Sequence, residues 1–133
     1  MTGLNDEQRI FVVDDEQIIA ETAAMILRWQ GFYVESFTDP FQALAASRAQ
    51  APDLLVTDIG MQVLSGIELA IEVQKDCPKC KVLFLSGQSE TETMREAFMA
   101  DGQRFDLLLK PIHPMELLNR VRWRLGPDSD SRE

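Results

Sequence analysis

The sequence predicts an α/β protein, a parallel sheet with helices packed on both faces. Three observations predict it. Strand-like and helix-like segments alternate through five β-α units, the pattern of parallel strands inside and helices outside. Leu54, Leu55 and Val56, and again Val82 to Leu85, form near-continuous apolar runs, as strands buried on both faces require. A chain of 133 residues, 45% hydrophobic and 26% charged, suffices for one domain with a sizeable core.

Each element has its own signal. "RIFVVD" (residues 9–14) is short, apolar and β-branched, a buried strand. "EQIIAETAAMILRWQG" (16–31) follows as a helix, with Ile19, Ala23, Ile26 and Gln30 at near-helical spacing and Gly31 as its stop. "FYVESF" (32–37) alternates as a strand does. "TDPFQALAASRAQA" (38–51) is a helix with Asp39 as N-cap and Pro40 at the first helical position. "PDLLVTD" (52–58) is the third strand, "SGIELAIEVQKDC" (65–77) a helix and "KVLFLSG" (81–87) the fourth strand. "SETETMREAFMADG" (89–102) is a helix closed by Gly102, and "FDLLLK" (105–110) is the last strand. "HPMELLNRVRWRLG" (113–126) is the last helix, with Pro114 at its start and Gly126 at its end. The domain therefore covers residues 8–126, and residues 127–133 are expected to form a polar flexible tail. Trp29 and Trp123 are read as helix-face packing residues, with an exposed partner anchor as the alternative for Trp123.

Composition excludes several functions. A formal net charge of −9 argues against general nucleic-acid binding, which needs a basic face, and suits a site for cations. No stretch is long and apolar enough to span a membrane. The start, "MTGLNDEQR", lacks the apolar core of a signal peptide. Two cysteines make no disulfide scaffold, so a cytoplasmic setting is expected.

In open parallel α/β sheets, ligands bind beyond the carboxyl ends of the strands. Here the first strand ends on Asp14 and Asp15, the third on Asp58, the fourth on Ser86 and Gly87, and the fifth on Lys110 and Pro111. Three carboxylates, a hydroxyl and an ammonium converge on one rim. That set suits phosphoryl transfer to a carboxylate. Mg2+ takes carboxylate, water and phosphate oxygens. An Asp can form an aspartyl-phosphate. A lysine and a metal stabilise the charge on the transferred group. Taken alone, the acidic cluster "DDE" would be a helix N-terminus favoured by the dipole, and Ser86-Gly87 an ordinary turn. Their register with Asp58 and Lys110 argues for the chemical reading.

The stretches "FVVDDEQ", "DLLVTDIGMQVLSGIEL", "VLFLSG" and "LLLKP" resemble the receiver domain of response regulators, the CheY-like family of two-component signalling, from about Arg9 to Leu125. The resemblance implies a flavodoxin-like (βα)5 doubly wound fold with strand order 2-1-3-4-5. It implies that Asp58 is the phospho-acceptor, that Asp15 and Asp58 ligate Mg2+ with the Gly60 carbonyl, and that Asp14 helps through water or as a weaker partner. It implies that Ser86 is the switch hydroxyl, that Lys110 pairs with the phosphoryl group or acceptor carboxylate, and that a cis peptide bond precedes Pro111. The partner it implies is a histidine kinase or phosphotransfer protein, docking around the first helix from Gln17 to Thr22. The expected protein is a stand-alone signalling switch that promotes its own phosphorylation and dephosphorylation, monomeric or dimerising on phosphorylation, with no nucleic-acid or membrane partner.

The sequence departs from the family pattern in three places. Gln62 stands where a proline usually follows Met61. Leu107 occupies the place of the switch aromatic, with Phe105 the nearest aromatic two positions earlier. The segment between Ser86 and Lys110 is a residue or two longer than the family's usual length, an excess assigned to "MADGQRF". Gly60 and Gln88 occupy the positions that tune phosphate lifetime in the family, and the open approach beside Gly60 predicts moderately fast autodephosphorylation.

Other chemistries fit less well. A haloacid-dehalogenase-type phosphatase shares Asp, Ser, Lys and Mg2+ but places its nucleophile in D-x-D on the first strand, where this chain has adjacent Asp14 and Asp15. A flavodoxin-like cofactor binder wants a Ser/Thr/Gly-rich phosphate loop after the first strand, and "DDEQII" has the opposite charge. "CPKC" (77–80) resembles a redox pair but falls after a helix and before a strand, without the helix N-terminus that lowers a thiol pKa. His113 is the sole histidine, so no histidine metal cluster exists, and capping or exposure is its expected role.

Overall fold

A computed structural model describes residues 8–87 and 106–126. The predicted helix over 89–102, Gln88, Phe105, the lengthened "MADGQRF" and the tail at 127–133 lie outside the described residues. The elements are β1 Arg9–Val13, α1 Gln17–Trp29, β2 Tyr33–Phe37, α2 Pro40–Ala49, β3 Leu54–Asp58, α3 Gly66–Asp76, β4 Lys81–Ser86, β5 Asp106–Leu109 and α4 Pro114–Leu125. The strands form one parallel sheet in the order β2-β1-β3-β4-β5, as the resemblance implies.

Alternation along the strands splits the core into two layers. Ile10, Val12, Leu54, Val56, Leu83, Leu85 and Leu108 pack against α1 and α4. Phe11, Val13, Leu55, Val82 and Phe84 pack against α2 and α3. Successive strand residues point to opposite faces, so a sheet covered on both sides needs apolar residues at every position. Each fully buried Leu or Ile contributes roughly 1.5–3 kcal/mol.

The helix ends follow the sequence closely. Asp39 caps α2, its Oδ1 accepting the Phe41 N–H at 2.9 Å. Ser65 and Glu68 form a reciprocal capping box at α3. Gly31 adopts φ 97°, which lets the Phe32 N–H reach the Leu27 carbonyl and its own N–H reach Arg28 after α1. The buried face of α1 is Ala20, Ala23, Ala24 and Leu27; of the residues read at helical spacing Ala23 is buried, Ile19 and Ile26 are partly buried and Gln30 is exposed. The small alanines bring the helix close to the sheet, which leaves the isoleucines at the edge of the contact. Trp29 and Trp123 are 77% and 51% exposed, so neither is a core packing residue.

The register sets the level of the site. Val13 pairs with Thr57 and Asp58 with Leu85, so Asp14 and Asp58 emerge at the same height on neighbouring strands. Ser86 pairs with Leu109, which puts Lys110 just beyond it. The Lys110 N–H donates to the Ser86 carbonyl at 2.9 Å, prolonging the ladder past the last strand residue.

Candidate functional site

Lys110 joins the acidic residues. Its Nζ lies 2.9 Å from Asp14 Oδ2, 3.0 Å from Asp58 Oδ1 and 3.9 Å from Glu16 Oε1. Asp14 is fully buried and Asp58 is 5% exposed, while Asp15 is exposed. One carboxylate oxygen from each of Asp14, Asp15 and Asp58 falls within 4.8 Å of the others. Asp14 is fixed from its other side, where Oδ1 accepts the Glu16 N–H at 2.9 Å as α1 begins. The Lys110–Pro111 peptide bond is cis, as expected.

Burial dominates the protonation of Asp14 and pushes its carboxyl above the ordinary value. The Glu16 N–H and Lys110 pull the other way without cancelling it, and Asp58 adds repulsion. Burial would lower the Lys110 ammonium, but its hydrogen bonds to Asp14 and Asp58 and their charges outweigh it, so Lys110 is held above its usual value. Among the described residues one cation thus faces two buried carboxylates and a third at the surface, an excess of negative charge in a poorly solvated place. A hard divalent cation answers that excess, and three clustered carboxylate oxygens are the donor set it takes. The residues therefore fit Mg2+.

Ser86 is fully buried at the end of β4, its hydroxyl donating to the Gly87 carbonyl at 3.0 Å. Gly60 lies exposed in the loop after β3. Leu107 packs half-buried against the layer under α2 and α3, and its carbonyl accepts from Arg120 at 3.2 Å. Two contributors escape sequence reasoning. Glu16 adds a rim carboxylate near Lys110, its place one step beyond Asp15 being the available clue. The buried Thr57 hydroxyl donates to the Asp58 carbonyl at 3.1 Å, and nothing in the strand pattern signals it.

Cys77 and Cys80 are free thiols away from this rim. Burial, then the charges of Cys77 and Asp53, pushes the Cys80 thiol up to about 12, the reverse of a reactive redox cysteine. His113 precedes α4 exposed and makes no side-chain cap.

A family model for the response regulator receiver domain matches residues 10–122. The transcriptional regulatory protein CreB of Escherichia coli is 36% identical over 115 residues, covering 86% of this chain and 49% of that protein. The receiver domain of NtrX from Brucella abortus superposes with a TM-score of 0.78 at 33% identity, covering 89% of this chain and 98% of that one. A CheY-like receiver domain protein from Methanospirillum hungatei gives a TM-score of 0.80 at 25% identity, covering 93% and 98%. The chain spans about half the length of the curated relatives it matches first, so they lend no support to the stand-alone expectation. Among the described residues no helix is long and apolar enough to cross a membrane.

Proposed function

The chain belongs to the response regulator receiver domain family, and from that premise we propose that Asp58 accepts a phosphoryl group from a histidine kinase or phosphotransfer protein in a Mg2+-dependent reaction that changes partner binding. The observation that carries this reading is the triangle of Asp14, Asp58 and Lys110, with Asp15 beside it. In the reaction an Asp58 oxygen attacks phosphorus. A bond to the donor's histidine nitrogen breaks as the acyl-phosphate bond forms.

The chain's own residues divide the work. Asp15, Asp58 and the Gly60 carbonyl would hold the metal, with Asp14 as a supporting carboxylate. Mg2+ supplies charge neutralisation to the transferred oxygens when bound. Lys110, already 3.0 Å from Asp58, keeps the acceptor oriented and follows the charge onto the phosphoryl group. The Ser86 hydroxyl turns from Gly87 to a phosphoryl oxygen. Ile18, 78% exposed in the first turn of α1, is an apolar contact for the docking phosphodonor. Gly60 leaves the phosphorus open to water, so the phosphorylated form is short-lived, and persistence over many hours would contradict that. The protein is in this reading a switch rather than a turnover enzyme.

Incubation with Mg2+ and acetyl phosphate, read by intact mass, tests the proposal. Wild type gains a covalent phosphoryl group and Asp58→Ala gains none. An adduct that survives in Asp58→Ala, or sustained multiple turnover of small phosphate esters, would sink it.

A further inference from the structure

We infer that Gly66 is a positioning residue for the acceptor, a role that rests on the proposed function of Asp58. A Cβ at Gly66 would overlap the carbonyl oxygen of Asp58 and lie 2.9 Å from the Asp58 carbonyl carbon and 3.0 Å from Ile59 Cα. All three are backbone atoms, so no rotamer change relieves the overlap. The helix start and the strand end touch through the missing side chain.

Neither side is free to yield. Strand β3 is held by the ladder, with the Ile59 N–H donating to Leu85 at 3.0 Å. Helix α3 is held by Leu69, Ala70 and Val73 in the core. The Gly66 N–H also donates to the Ile59 carbonyl at 3.0 Å, which closes the loop carrying Gly60 onto the end of β3. The Thr57 hydroxyl pins the same Asp58 carbonyl that Gly66 abuts. A side chain at Gly66 therefore pushes the Asp58 backbone away from the position where its carboxylate faces Asp15 and Lys110, and displaces Gly60 with it. The contact works by sterics rather than by ligation, so it acts on metal affinity through Asp58.

The test compares Gly66→Ala with Ser65→Ala by calorimetric titration of Mg2+, with circular dichroism to confirm folding. Ser65→Ala removes the helix cap next door and lowers the melting temperature while leaving Mg2+ affinity unchanged. Gly66→Ala weakens Mg2+ binding by about tenfold, the scale seen when a residue that orients a metal ligand is changed. It also slows phosphorylation by acetyl phosphate. An affinity for Gly66→Ala within twofold of wild type overturns the inference, and so does an equal loss in both variants, which would trace the effect to helix stability. If Gly66→Ala does not fold, Thr57→Val decides. It takes the hydroxyl off the same carbonyl without adding bulk and weakens Mg2+ by about threefold, and no change overturns the inference. A wild type that binds no Mg2+ and forms no Asp58 adduct removes the proposed function itself, and this inference falls with it.

Discussion

Asp53 precedes β3 and Asp58 ends it, so one strand presents an aspartate at each edge of the sheet. Asp53 is exposed, and its Oδ2 accepts the Arg9 N–H at 2.7 Å. Its own N–H and carbonyl join Arg9 and Lys81 on the flanking strands. The carboxylate is consumed in tying strand starts together. Asp58 is buried, faces Lys110 and shares its space with two further carboxylates. The difference shows what makes an acid chemical rather than structural: a backbone N–H satisfies the first, whereas among the described residues the second is left with more negative charge than its lysine answers.

The largest expected effect tests that division directly. Asp58→Asn abolishes the Mg2+-dependent adduct with acetyl phosphate, and Asp53→Asn leaves it intact, both read by intact mass. Next comes Lys110→Ala, which strips the cation from Asp14 and Asp58 and lowers stability by about 3 kcal/mol without Mg2+. Chemical denaturation checks it, and added Mg2+ recovers part of the loss. Mg2+ at a hundred times its Kd stabilises the wild type by about 2.7 kcal/mol, and removing Asp14 or Asp15 abolishes that gain. Asp53→Asn costs about 1 kcal/mol, and this loss is the same with and without Mg2+. A Mg2+-sensitive Asp53 variant would break the comparison.

The sequence makes one edge of the sheet far more legible than the contacts across it. Asp14, Asp58 and Lys110 each stand where an apolar run meets a charged residue, in "FVVDD", "LLVTD" and "LLLK", so topology alone brings them together. The caps Asp39 and Ser65 are legible because the capping chemistry is local. The buried face of α1 is not, because Ala20 and Ala24 sit against the sheet while the larger Ile19 and Ile26 mislead a hydrophobic periodicity. The roles of Thr57 and Gly66 are hidden for another reason. Each depends on a backbone carbonyl coming near from a different part of the chain, or from its own strand, and that leaves no periodic trace.

The last comparison separates the two edges by pH. Cys80, just before β4, has its thiol pushed from 9.0 to about 12, chiefly by burial. Between those values the folded chain keeps a proton that the unfolded chain has lost, so stability falls as pH rises from 9.0, by at most about 1.4 kcal/mol per pH unit. At the other edge Lys110 is held above its ordinary 10.5 by Asp14 and Asp58 against the opposing pull of burial. Its contribution is full below 10.5 and is lost as pH climbs through the folded value. Urea midpoints measured from about pH 8 to 11 should therefore show two onsets. Cys80→Ala removes the first and keeps the second, and Lys110→Met does the reverse. An unchanged first onset in Cys80→Ala would show that alkaline sensitivity at that edge has another source.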